Sequence, residues 1–238
     1  MVHTPRHLPA PPKLASNAAR WTARHRRIHA GEARGDWATK GAKKLLSAAL
    51  YKLAHGKCAF CETALGVGGY PEVEHYIAKS VRPLLAFEWT NLLPACGPCN
   101  GSKGGEDHGN VLLKPDIEDP EPYFWIHPDT GRLEPHPSLD SPGQRRALET
   151  IRLCNLQRAA LCTQRAEMLS RVSRWVELTL DPATPSGPLK EEWECLSHSE
   201  TEYKLAVRHA LRLKGQHELS ARDKVRFEAR QEKPIGHR

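Results

Sequence analysis

The stretch WTNLLPACGPCNGSKG, residues 89–104, contains a cysteine knuckle at Cys96 and Cys99. A two-residue spacer lets both sulfurs of a tight turn face one tetrahedral ion. The same spacer stands upstream in KCAFCE, at Cys58 and Cys61, with 34 residues between the two pairs. One pair alone would also suit thiol redox chemistry. Two pairs point instead to a structural zinc ion, held by four thiolates and closed to water. The interval is long for a short zinc ribbon and suits an insertion in which something else is folded. Cys154, Cys162 and Cys195 lie in helical patterns without a matching spacer and read as small core side chains.

Outward from the cysteines the chain reads as α+β and mainly helical. Upstream, residues 38–55 repeat Leu46, Ala49, Leu50 and Leu53 at helical spacing, with Gly56 as a natural stop. Residues 1–35 form a basic arm, helical around NAARWTARHRRIHA, with Arg6, Lys13, Arg20, Arg24, Arg26 and Arg27 and no acidic residue before Glu32. Such an arm suits either a solvated tail or contact with a polyanion. Downstream, PYFWIHPDTGRLEP (122–135) predicts a small hairpin about Pro128, Asp129 and Gly131. From Pro142 the pattern is helical, with Leu148, Ile151, Leu161, Leu169, Val172 and Val176 as core positions. DPATPSGP (181–188) breaks the run, Trp193, Leu196, Tyr203, Val207 and Leu211 mark the last helices, and a charged tail closes the chain. The divisions expected are therefore an arm (1–35), a cysteine-braced domain with its preceding helix and trailing hairpin (36–140), and a helical region (141–238).

With 238 residues the chain can bury a real core, and its formal net charge of +7 is compatible with a polyanionic partner. No apolar run approaches the roughly 20 residues that cross a bilayer, and the N-terminus lacks the apolar stretch of a secretion signal. No membrane contact and a cytoplasmic location are expected. Seven cysteines, an odd number, fit metal-bound or buried thiols better than a disulfide framework.

Between and just after the cysteine pairs stand Glu74-His75 in VEHYIAKS, Asn91 in WTNLLPAC, and Asn100 directly after Cys99. This order resembles the HNH nuclease motif, a β-hairpin and helix around one divalent metal, in the form braced by a cysteine-bound zinc. The resemblance implies metal-dependent phosphodiester hydrolysis, with DNA the favoured nucleic acid. A neutral imidazole can take a proton from water at physiological pH, which makes His75 the general base. Glu74 and the amide oxygen of Asn100 are hard ligands for Mg2+ or Mn2+, and His75 could also touch that metal. Asn91, with both a donor and an acceptor, is the organiser that pins backbone around His75. Lys79 and Lys103 are placed to meet a neighbouring phosphate.

The likeness reaches further. KCAFCE, VEHYIAKS, WTNLLPACGPCNGSKG, PDTGRLEP and ETIRLCNLQRAALCTQR together resemble the HNH proteins of Septu anti-phage defence systems and their retron-associated relatives, over roughly residues 40–170. That resemblance implies a defence effector held by an ATPase of ABC type, with the helical C-terminal region as docking surface. The alternative from another class is a non-catalytic, zinc-dependent nucleic-acid-binding module.

Overall fold

The computed structural model describes residues 1, 3–66, 71–180, 186–197 and 202–213. Two short helices, α1 (Pro12–Ala15) and α2 (Ala18–His29), lead into α3 (Lys40–Leu53). Thr39 opens α3 by accepting the Ala42 N–H at 3.2 Å, and the helix buries Ala42, Leu46, Leu50 and Leu53. It ends where His55 and Gly56 turn to positive φ, a conformation that costs glycine nothing. Strand β1 (Glu72–His75) then pairs antiparallel with β2 (Leu92–Ala95), setting Glu74 opposite Leu93 and His75 opposite Leu92. Helix α4 (Gly97–Lys103) follows β2 directly and packs on β1.

A second hairpin, β3 (Phe124–Ile126) with β4 (Leu133–Pro135), falls where the turn residues place it. Its turn docks so closely on α6 (Ala159–Leu180) that a Cβ on Gly131 would lie 1.9 Å from the Cys162 carbonyl oxygen. Between them, Asp140 caps α5 (Ser141–Leu153) by accepting the Gly143 N–H at 2.9 Å. Helices α7 (Ser186–Ser197) and α8 (Lys204–Leu213) complete the described chain, which is α+β and mainly helical. Among the described residues no helix is long and apolar enough to cross a membrane. Residues 181–185 of the expected break, and the expected charged tail, lie outside the described residues.

The β1–β2 ribbon separates two apolar clusters. Leu92 joins Leu14, Ala42, Leu46, Leu50, Phe87 and Trp89 on one side. Leu93 and Ala95 join the cysteines, Phe60, Leu113, Phe124 and the C-terminal helices on the other. Alternate residues of a strand point to opposite faces, so two consecutive leucines serve two cores. The arm enters the first core through Leu14, and Arg6 reaches Asp116 and the Leu92 carbonyl.

Two sequence expectations fail here. Leu148 is 55% exposed, because α5 turns Gly143, Ala147, Thr150 and Ile151 inward instead. Thr150 Oγ1 accepts the Leu113 N–H at 3.0 Å, and so close an approach needs small side chains on that face. Cys195 is exposed and Cys162 only half-buried, so of the three extra cysteines Cys154 alone is core.

Candidate functional site

The four knuckle cysteines converge: their sulfurs all lie within 4.8 Å of one another, three of them buried. Metal–sulfur bonds of about 2.3 Å at tetrahedral angles require sulfurs roughly 3.8 Å apart, and Cys61 and Cys96 stand at 3.6 Å. The set could hold a metal such as zinc. Burial pushes the Cys58 thiol well above its usual range, so a cation is what would let these sulfurs ionise together. Arg158, just before α6, adds a positive charge, with Nη1 3.5 Å from Cys99 Sγ and Nη2 4.0 Å from Cys96 Sγ. Among the described residues this is the one cluster of three or more His, Cys, Asp or Glu able to share an ion.

Beside it, β1 places the acid–histidine pair. Strand alternation sends the two side chains to opposite faces: Glu74 toward α4, His75 toward the arm and α3. Glu74 is buried, with Lys103 Nζ 2.7 Å from its Oε1 but not aligned for a hydrogen bond. Burial raises this carboxyl to about 7, against the pull of Lys103 and Lys79. The Lys103 side chain has no exposure, so in this conformation its ammonium neutralises Glu74 rather than facing a surface phosphate.

The His75 ring is 5% exposed and packs edge-on to Trp37, with centroids 4.7 Å apart. Nε2 lies 3.0 Å from the Ala86 carbonyl oxygen. A carbonyl only accepts, so the neutral ring carries its proton on Nε2 and its lone pair on Nδ1. Burial and the nearby Lys79 ammonium lower this imidazole to about 3, leaving it neutral at physiological pH.

Asn91 ties down the loop after His75. Its Oδ1 accepts the Ile77 N–H at 2.8 Å, and Nδ2 donates to the Ile77 and Leu85 carbonyls at 2.9 and 3.2 Å. It orients His75 indirectly, through the backbone that carries Ala86. Asn100, on α4, donates to the carboxylate of Glu72. Lys79 is half-buried, 5.7 Å from the centre of the Trp37 ring.

His75, Glu74 and Asn100 therefore each have separate partners, and among the described residues no hydrogen bond joins them. What they share is an electrostatic neighbourhood, since Lys79 and Lys103 act on both Glu74 and His75. Three residues at this site were not singled out in the sequence. Glu72 shares the α4-facing side of β1 with Glu74, a placement its i+2 spacing signals. Trp37 and His25 are brought in by tertiary packing and carry no local signal.

No family model matches the chain. Two curated relatives are similar to parts of it. Septu protein PtuB of Bacillus thuringiensis is 36% identical over 84 residues, 34% of this chain and 33% of that protein. Septu protein PtuB of Bacillus mycoides (strain KBAB4) is 28% identical over 150 residues, 50% of this chain and 49% of that protein. The matched stretches thus span between a third and a half of these relatives' length, and both support the likeness to Septu proteins.

Proposed function

We propose that the chain is a metal-dependent HNH endonuclease acting in an anti-phage defence system of Septu type. The observation that carries the reading is the way His75 is presented. Asn91 pins the loop after it at Ile77 and Leu85, and the Ala86 carbonyl leaves Nδ1 as the basic atom. The likeness to proteins named Septu protein PtuB supports the defence setting.

In this reading His75, freed of the burial that holds its imidazole at about 3, takes a proton on Nδ1 from a water as the water oxygen attacks phosphorus. The bond to the 3′ oxygen breaks and that oxygen takes a proton from solvent water, leaving a 5′ phosphate and a 3′ hydroxyl, with DNA the favoured substrate. The oxygens of Glu74, Glu72 and Asn100 are the hard donors that would hold a divalent cation once the Lys103 ammonium gives way at Glu74, and such ions complete their shells with water and substrate oxygens. When bound, magnesium or manganese would neutralise charge at the phosphate and the departing oxygen. Zinc in the four-cysteine site would be structural. Lys79 is the cation assigned to a neighbouring phosphate, while Lys103 pairs with Glu74. At 5% exposure His75 is nearly closed to bulk water, which suits an effector restrained until a partner acts. By resemblance that partner is an ATPase of ABC type.

The burial of Glu74 and His75 also favours the second reading, a zinc-dependent nucleic-acid-binding module without catalysis. Plasmid nicking with and without magnesium or manganese separates the two. His75→Ala should abolish nicking while zinc content stays as in the parent, and the melting temperature should fall because a buried, hydrogen-bonded ring is lost. Nicking retained in that variant removes His75 from the mechanism.

A further inference from the structure

Four thiolates around one divalent ion leave a surplus of negative charge, and three of these sulfurs lie within the larger apolar cluster. Buried charge is costly unless it is paired or hydrogen-bonded. Arg158 meets that need. Its Nη1 donates to Cys99 Sγ and its Nη2 to Cys96 Sγ, so the guanidinium covers both sulfurs of the second knuckle.

The same guanidinium has a second set of partners. Nη1 donates to the Asn155 carbonyl at 2.9 Å and lies 3.4 Å from the Cys154 carbonyl oxygen. Cys154 closes α5, and the last carbonyls of a helix have no partner within it. Asn155 then turns to a φ of 47°, and α6 begins directly after Arg158. Leu153, Cys154 and Leu156 of this corner are buried in the cluster that holds the cysteines. Two electron-rich groups, a helix end and a cysteine knuckle, thus face each other with one cation between them. An N–H bond to a thiolate is charge-assisted, whereas one to a protonated thiol is weak. How firmly Arg158 holds the corner therefore depends on whether those sulfurs are thiolates on a metal.

We propose that Arg158 is a positioning residue of the metal centre, one that couples metal retention by the four cysteines to the seating of the α5–α6 corner. Through it the helical region responds to whether the clasp is loaded. The proposal rests on the reading of the four cysteines as a metal site and is independent of the hydrolytic one.

The test uses the full-length chain loaded with zinc or, as a coloured probe, with cobalt(II). In Arg158→Met the sulfur-to-cobalt charge-transfer band should move to longer wavelength, because a sulfur without its N–H donor gives up electron density more readily. Retention of zinc against a chromophoric chelator should weaken about tenfold or more. Backbone amides of residues 153–158 should exchange faster in the zinc-loaded variant than in the zinc-loaded parent. Arg158→Lys keeps the charge but not the fork, and should shift the band the same way by less. A methionine variant with the parent band and parent zinc retention reduces Arg158 to a cap on α5 and overturns the proposal. So does a shifted band beside unchanged exchange at the corner, since the coupling is then absent. Where the methionine variant does not fold, the lysine variant decides, and a parent band there overturns the proposal as well. A parent that takes up neither cobalt nor zinc removes the metal-site reading first, and this proposal with it.

Discussion

Cys58, Cys61, Cys96 and Cys99 can share one ion only after surrendering their protons, and burial opposes that for Cys58. Metal binding and folding should therefore be coupled at this site. Cys58→Ser is expected to weaken zinc retention more than ~100-fold against a chromophoric chelator, beyond what loss of an outer-shell contact would do. The melting temperature should fall with it. A serine variant that melts as the parent does without zinc would show that the thiols do not brace the fold. These four residues were readable one by one, because two knuckles with the same spacer announce a common ligand. Glu74, His75, Asn91 and Asn100 were readable as a set in order along the chain. Their partners were not: nothing local to VEHYIAKS says that Lys103 is buried against Glu74 or that Trp37 covers His75.

Among the elements, Arg146 on α5 binds the helical region to the segment behind the cysteines. Its guanidinium donates to Glu118 at 2.8 Å, to the Tyr123 hydroxyl at 3.0 Å and to the Asn110 carbonyl at 2.9 Å. Burial would raise the Glu118 carboxyl, but the Arg146 pair and the Lys114 N–H hold it below its ordinary value. A depressed carboxyl contributes stability that is present above its unfolded pKa and lost as pH falls through its folded one. Arg146→Ala should cost about 1–2 kcal/mol at pH 7, discounted for partial exposure. The gap between parent and variant should narrow in acid as Glu118 protonates. Urea melts at pH 7 and at pH 3, well below the ordinary carboxyl value, give both numbers, and an equal gap would assign the cost to lost packing. The helices α3 and α5 and the second hairpin were legible because their caps and turn residues are local. Leu148 was misjudged because an apolar stripe read from spacing is uncertain by one residue, about 100° around a helix. Only the close approach of the Leu113 backbone selects the small-residue face.

For the whole molecule, the ribbon between two cores makes the arm structural. Leu14 is fully buried with Leu46 and Leu50, and Arg6 pairs with buried Asp116. Burial of a leucine alone stabilises by about 1.5–3 kcal/mol. Deleting residues 1–35 should therefore abolish the cooperative melting transition or leave an aggregating chain, rather than merely flatten the salt dependence of nucleic-acid binding. A soluble truncated chain with the parent melting temperature would return the arm to the status of a tail. Taken by itself, the sequence determined the four-cysteine cluster, the helical class and the order of acid, imidazole and amide, since spacers, caps and periodicity act within a few residues. Tertiary structure alone decided which core each of Glu74 and His75 enters from β1, and that the arm covers one of them. Those outcomes depend on which distant side chains compete for each face of a two-stranded ribbon, a contest that no local pattern records.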